Sequence, residues 1–233
     1  MKNSLKEFSF KKMIFQPQFA KKFCCMFFGI LFMGFFLSFL IKINWGTDPA
    51  SFHNKTISLA LGWTFGNWQL LYNTVCFVIV LLINCKLIGL GTFFNWVLIG
   101  YTADFFCWLW DRTIPAAIFS TNEYLAIKLT IFVLALLLFV ISAAFYMNAQ
   151  LGLSPYDALA RIFSEATEKH MPHFASRIIY DMTIVAIGAT VGIIFGVPIK
   201  TALPGSIAVG LLLGPAIQLV GTFVNKHILK IVS

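Results

Sequence analysis

The sequence predicts an all-α membrane protein: six transmembrane helices forming two inverted three-helix repeats, with short interfacial helices after spans 1 and 4. Three observations lead there. Hydrophobic residues make up 59% of the 233 residues and charged residues 11%, against about 45–50% and about 25% in an ordinary soluble protein. With 17 basic and 9 acidic side chains, the chain cannot build a charged exterior of this size, so most of its surface is solvated by lipid. Six apolar stretches come close to the roughly 20 residues a helix needs to cross the hydrocarbon. The third observation is an internal repeat. Together these exclude a soluble enzyme, a disulfide-stapled secreted domain and a nucleic-acid binder, despite a net charge of +8.

The stretches run over residues 23–41, 68–85, 87–110, 129–148, 177–195 and 203–224. The first is too long and too uniformly apolar for a cleaved signal peptide, and no small-residue cleavage site follows it. The expected organisation is a basic cytoplasmic N-terminal segment (1–22), a first three-span repeat (23–111), a second (125–225) and a cytoplasmic tail (226–233). Six lysines lie in the first 22 residues, opposed by Glu7 alone. With the N-terminus inside, 12 of the 17 basic residues fall on the cytoplasmic side and 5 outside, which supports N-in and C-in. The N-terminal segment reads first as a topology signal, and second as an interfacial helix drawn to anionic headgroups.

Trp45-Gly46-Thr47-Asp48-Pro49 reappears as Leu151-Gly152-Leu153-Ser154-Pro155, 106 residues later. Trp68-Gln69-Leu70-Leu71-Tyr72-Asn73 aligns with Ser176-Arg177-Ile178-Ile179-Tyr180-Asp181 at an offset of 108. Leu90-Gly91-Thr92 and Gly100 are matched with Ile199-Lys200-Thr201 and Gly210. Three spans per copy is an odd number, which places the copies in opposite orientations. Inverted repeats are a recurrent plan of secondary transporters; a duplicated bundle with no transport role is the alternative.

In each G-x-[D/S]-P turn the glycine allows the backbone to reverse, Asp48 or Ser154 caps the next helix, and Pro49 or Pro155 takes its first position. Asp157 completes a capping-box-like start. The helix after Pro155 is amphipathic, with Asp157, Arg161, Glu165 and Lys169 on one face. These short helices either lie flat as surface braces or dip inward to point an N-terminus at a solute. The charges on the second favour the flat position.

Gly46-Thr47-Asp48-Pro49, Leu90-Gly91-Thr92 with Asn95 and Gly100, and Gly152-Leu153-Ser154-Pro155-Tyr156-Asp157-Ala158-Leu159 together resemble the YczE/YyaS/YitT group of bacterial integral membrane proteins, over about residues 20 to 225. The resemblance implies a multi-pass protein of the bacterial cell (inner) membrane. It implies no substrate and no catalytic set.

A charge at bilayer depth costs about 2.5–3.5 kcal/mol on insertion scales, so each one invites a reason. Asp104 lies within the third span. It is either a proton or cation coupling site or an acid reaching the outer interface. Asp181 stands four residues after Arg177, close enough to pair on one helix face. Their repeat counterparts are Asn73 and Gln69, with Tyr72 and Tyr180 alongside. These residues are either the lining of a solute or ion path or two sets of interfacial anchors. Asn44, Asn95, Asn148 and Gln218 carry less weight. Gly188, Gly192 and Gly196, with Gly210 and Gly214, read as helix packing, between spans 5 and 6 or across a dimer. The tryptophans Trp96, Trp108 and Trp110 suit a lipid-facing belt, and the five cysteines suit small apolar packing.

No nucleotide, hydrolase or zinc motif occurs, and His170 and His173 have no partner at metal-ligand spacing. The expected function is therefore a non-enzymatic secondary transporter or facilitator of a small solute, without cofactor or metal. The alternative is a non-transporting subunit or scaffold that binds a solute or partner protein. Beyond the lipid bilayer, the expected partners are a small solute and either a second copy or a partner subunit, with no nucleic acid.

Overall fold

The computed structural model describes residues 17–226; the expected N-terminal segment through residue 16 and the tail after 226 lie outside the described residues. Nine α-helices and no strand occur among the described residues: α1 (Phe19–Ile43), α2 (Pro49–Leu61), α3 (Phe65–Ile83), α4 (Leu90–Thr113), α5 (Ala116–Ser120), α6 (Leu125–Asn148), α7 (Pro155–Thr167), α8 (His173–Ile194) and α9 (Ala202–Val224). Five of them, α1, α3, α6 with the turn before it, α8 and α9, are long and apolar enough to cross a membrane. The chain is a multi-pass integral membrane protein. α4, with 24 residues, is as long as these but interrupted by Asn95, Asp104 and Asp111. The first helix begins at Phe19, so Lys21 and Lys22 belong to it and not to the segment before it.

Apolar side chains point both ways. Leu137, Leu212, Leu219 and Phe223 are exposed to the surroundings, where lipid is their solvent. Met26, Ile30 and Leu37 of α1 are fully buried and pack with Phe139, Ala143 and Tyr146 of α6. Gly29 makes that approach possible, because a Cβ there would lie 2.9 Å from the Ser142 carbonyl oxygen. The remaining packing is reciprocal. α1 lies on α4 and α6 on α9; α2 lies on α8 and α7 on α3. Each short helix thus rests against the second long helix of the other half.

The two turns match in backbone as well as in sequence. Asn44 and Gln150 both have positive φ, 59° and 56°, and Gly46 and Gly152 follow at 136° and 107°. In the last two positions the backbone suits glycine and strains other residues. Asp48 and Ser154 then cap α2 and α7, each side chain accepting a hydrogen bond at 3.0 Å, from the backbone N–H of Ser51 and of Asp157.

The course of the chain through the first turn is set by its neighbours on α9. Asn44 donates to Thr201 Oγ1 at 3.0 Å, Trp45 and Gly46 lie against Gly205, Thr47 N–H donates to Ser206 Oγ at 3.0 Å, and Pro49 meets Gly210. The segment therefore runs back along α9 toward its middle before α2 begins. α2 then runs outward again, with His53 against Gly188 and Thr56 against Gly192 of α8. The expected flat, interfacial position is corrected by this path. α2 is enclosed by its neighbours, with eight of its 13 residues buried. The expectation weighed the charges of α7, of which Arg161 and Glu165 sit on its exposed part while Asp157 is drawn inward to Arg177. Pro155, Tyr156, Ala158 and Ala160 of α7 are buried, whereas Arg161 and Glu165 are exposed.

Two further expectations change. The glycines of α8 seat α2, not α9 or a second copy: Gly188 takes Phe52 and His53, and Gly192 takes Thr56. The match of Gly100 with Gly210 is out of register. Buried Thr92, Asn95 and Ile99 of α4 correspond to buried Ser206, Val209 and Leu213 of α9, at an offset of 114. Of the three tryptophans assigned to a lipid-facing belt, Trp108 is exposed, whereas Trp96 and Trp110 turn their indole N–H groups to Leu70 O and Ser38 Oγ, at 3.0 and 2.8 Å.

Candidate functional site

A cavity of about 1080 Å³ lies between the two halves. At its deep end stand the N-termini of both short helices, with Asp48 and Ser51 of the first and Ser154 and Asp157 of the second. It extends to the end of the bundle where α8 begins and α9 finishes, near His173 and Lys226. At the opposite end the helices are tied together. Lys55 donates to Ile41 O and to Asn44 Oδ1, both at 2.7 Å, and Lys42 pairs with Asp111.

The second half contributes a closed network. Arg177 donates from Nε to Asp181 Oδ2 and from Nη2 to Asp157 Oδ1, each at 2.9 Å. Tyr156 Oη donates to Asp181 Oδ1 and Ser154 Oγ to Asp157 Oδ2, each at 2.6 Å. All four carboxylate oxygens have donors, as a buried ion pair requires. The spacing of Arg177 and Asp181 is the i, i+4 pair legible in the sequence. Asp157 comes from α7 and is brought in by the fold.

The first half contributes Asp48, Gln69 and Asn73 to the same cavity. Asp48 Oδ2 is taken by the Ser51 N–H. Among the described residues, Asp48 Oδ1, Gln69 Oε1 and Asn73 Oδ1 are buried with no hydrogen-bond partner, as is the indole N–H of Trp68, which does not line the cavity. Asn95 of α4 also lines the space.

The other expected path residues lie elsewhere. Asp104 does not line the cavity; its Oδ2 accepts the Gly66 N–H at 2.8 Å and so caps the start of α3 from α4. Replacing Asp104 by Ala is expected to cost about 0.5–2 kcal/mol, the value of a lost cap. A thermal unfolding midpoint of the purified protein would register that loss, while solute binding should be unchanged. Tyr72 and Tyr180 stand behind the lining. Their side chains meet each other, and Tyr72 also packs on the His53 ring with centroids 4.6 Å apart. Gly46, Gly152 and Pro155 shape the turns, and Pro49 reaches the cavity wall.

Sequence reasoning gave Asp48 and Ser154 capping roles, left Tyr156 without a role at the site, and reached Gln69 only as the counterpart of Arg177. Among the described residues no group of three His, Cys, Asp or Glu side chains could hold a metal ion.

The model of the "Family of unknown function (DUF6198)" matches residues 20–222, most of the chain. No curated protein and no solved structure matches it.

Proposed function

The chain belongs to this family of unknown function, and from the geometry of its cavity we propose that it is a secondary transporter or facilitator of a small solute. The observation that carries the reading is the convergence of two short-helix N-termini, one from each half, on a single cavity that is polar at that end. Broken helices whose ends face a site between repeats are how known secondary transporters hold their solutes. A dry centre filled with Leu and Phe would have argued for a scaffold.

In this reading α4 also crosses the membrane, which makes six spans, and the halves are inverted. The reciprocal packing of α1 with α4, α6 with α9, α2 with α8 and α7 with α3 supports the duplication. The turns support it too. Gly46 sits against Gly205, and Gly152 against Gly89 and Gly91, so each turn meets glycine at the start of the other half's third long helix. Two near-equal packings of such halves give a cavity open to one side or to the other. With both termini cytoplasmic, the described cavity reaches the inner face, and the ties at Asn44 and Lys55 close the outer one. The likeness of the second turn to the YczE/YyaS/YitT group supports placement in a bacterial inner membrane. Without a nucleotide-binding motif, uphill movement draws on an ion gradient or on a partner ATPase.

A second reading, a solute-binding subunit that does not itself transport, is favoured by the reach of the cavity to one end alone. Counterflow separates the two. Proteoliposomes carrying the purified chain and preloaded with a solute that stabilises it should accumulate the labelled solute. Stabilisation by that solute with no counterflow would support the subunit.

A further inference from the structure

The halves differ at matching positions. Where the second half has Ser154, Tyr156, Asp157, Arg177 and Asp181, the first has Asp48, Ala50, Ser51, Gln69 and Asn73. The second set contains its own cation and a phenol, and every carboxylate oxygen there has a donor. In the first set Gln69 stands for the arginine and Ala50 for the tyrosine, so the cation and the phenol are gone. What remains is Asp48 Oδ1, Gln69 Oε1 and Asn73 Oδ1, three acceptor atoms without a partner among the described residues. Gln69 and Asn73 are only 5% and 4% exposed. Buried polar groups are normally paired, so such a set marks a place where donors are brought in from outside.

The charges point the same way. Asp48, Asp157 and Asp181 face the cavity with Arg177 as the cation among them, and Lys226 stands at the far end. The positive helix ends offer little to an anion, because Asp48 and Ser154 already satisfy them and Asp157 adds a carboxylate in the first turn of α7. On the other side of the space, Met33, Ile99, Phe139 and Leu213 give an apolar wall.

We propose that the solute carries a cationic nitrogen head with several N–H donors, a guanidinium or primary ammonium on a short aliphatic stem. The head seats against Asp48, Gln69 and Asn73, in the place that the Arg177 guanidinium occupies in the other half. The identification rests on the solute-cavity reading above and adds to it the chemical class. A guanidinium offers five N–H donors and an ammonium three, which suits three unpartnered oxygens.

The full chain in lipid nanodiscs, titrated with butylguanidinium, butylammonium, uncharged butylurea, butyrate and sodium chloride, tests this by calorimetry and by unfolding midpoint. The two organic cations should bind saturably, at least 100-fold more tightly than butylurea or butyrate. Asp48→Asn should weaken them at least tenfold, and Asn73→Asp should strengthen them about tenfold. Gln69→Arg supplies a tethered guanidinium, so it should abolish binding and raise the unfolding midpoint, a gain that a misfolded variant cannot give. The proposal is overturned if neither organic cation binds, if butylurea or butyrate binds as well, if sodium alone gives the saturable response, or if Gln69→Arg leaves the affinity unchanged. Cation binding without counterflow would remove the transporter reading and leave this one standing. Counterflow of a neutral or anionic solute would do the reverse.

Discussion

Gly205→Ala is expected to cost the protein much of its stability, and Gly89→Ala is expected to do the same at the other end of the bundle. A Cβ on Gly205 would collide with the carbonyl oxygen of Trp45, and one on Gly89 with that of Leu151. These are backbone atoms in turns whose φ values already require glycine, so neither partner can give way. Overpacking of this kind costs about 1–3 kcal/mol in soluble cores and more where backbone must shift. Gly214→Ala is the control, because an added Cβ there meets nothing within 4 Å. It should be neutral or mildly stabilising, since alanine is the better helix former by about 1 kcal/mol. Unfolding midpoints of the three purified variants measure the effect. Large losses at 205 and 89 with none at 214 are expected. A wild-type midpoint for either of the first two would mean that the turns do not sit where they are drawn.

Removing Arg177 should be as severe for a different reason. Asp181 is 4% exposed at its side chain and Asp157 22%, and the guanidinium joins them. Breaking a buried pair from one side leaves an uncompensated charge and costs about 3–5 kcal/mol. Arg177→Leu should therefore unfold at a much lower temperature than the parent. Arg177→Gln with Asp181→Asn copies the residue types present at Gln69 and Asn73, and it removes one of the two stranded charges along with the cation. The double variant should recover a good part of the loss, giving a coupling of about 1–3 kcal/mol in a double-mutant cycle. Additivity would mean that the two side chains act independently.

What was legible in the sequence was local chemistry. The turns could be read because capping and positive φ are properties of a few adjacent residues, and both structural turns keep the 106-residue spacing. The second long helix of each half could be aligned because Asn73 and Asp181 are polar marks on an apolar background, and both are buried. The third long helices offered no such mark. Glycines and apolar residues recur at several spacings there, so Gly100 was paired with Gly210 and the register came out one turn short. The role of Asp104 was hidden because its partner, Gly66, lies 38 residues away and offers a backbone N–H that no sequence pattern announces. The inward course of α2 was hidden likewise. Its length fitted a surface helix, and only the sequence of neighbours along α9, from Thr201 to Gly210, sends it back into the bundle.

Everything proposed for the cavity depends on the halves being mounted in opposite directions, so that α2 opens toward one compartment and α7 toward the other. Trp63, just beyond the end of α2, and Lys169, just beyond α7, are both exposed. In a chain whose five cysteines are replaced, Trp63→Cys and Lys169→Cys give one reporter for each. Treated with a membrane-impermeant maleimide, intact cells should label the cysteine at 63, and the cysteine at 169 should react only after the membrane is opened. Labelling of both from the same side would contradict the inverted arrangement and the two-sided access built on it.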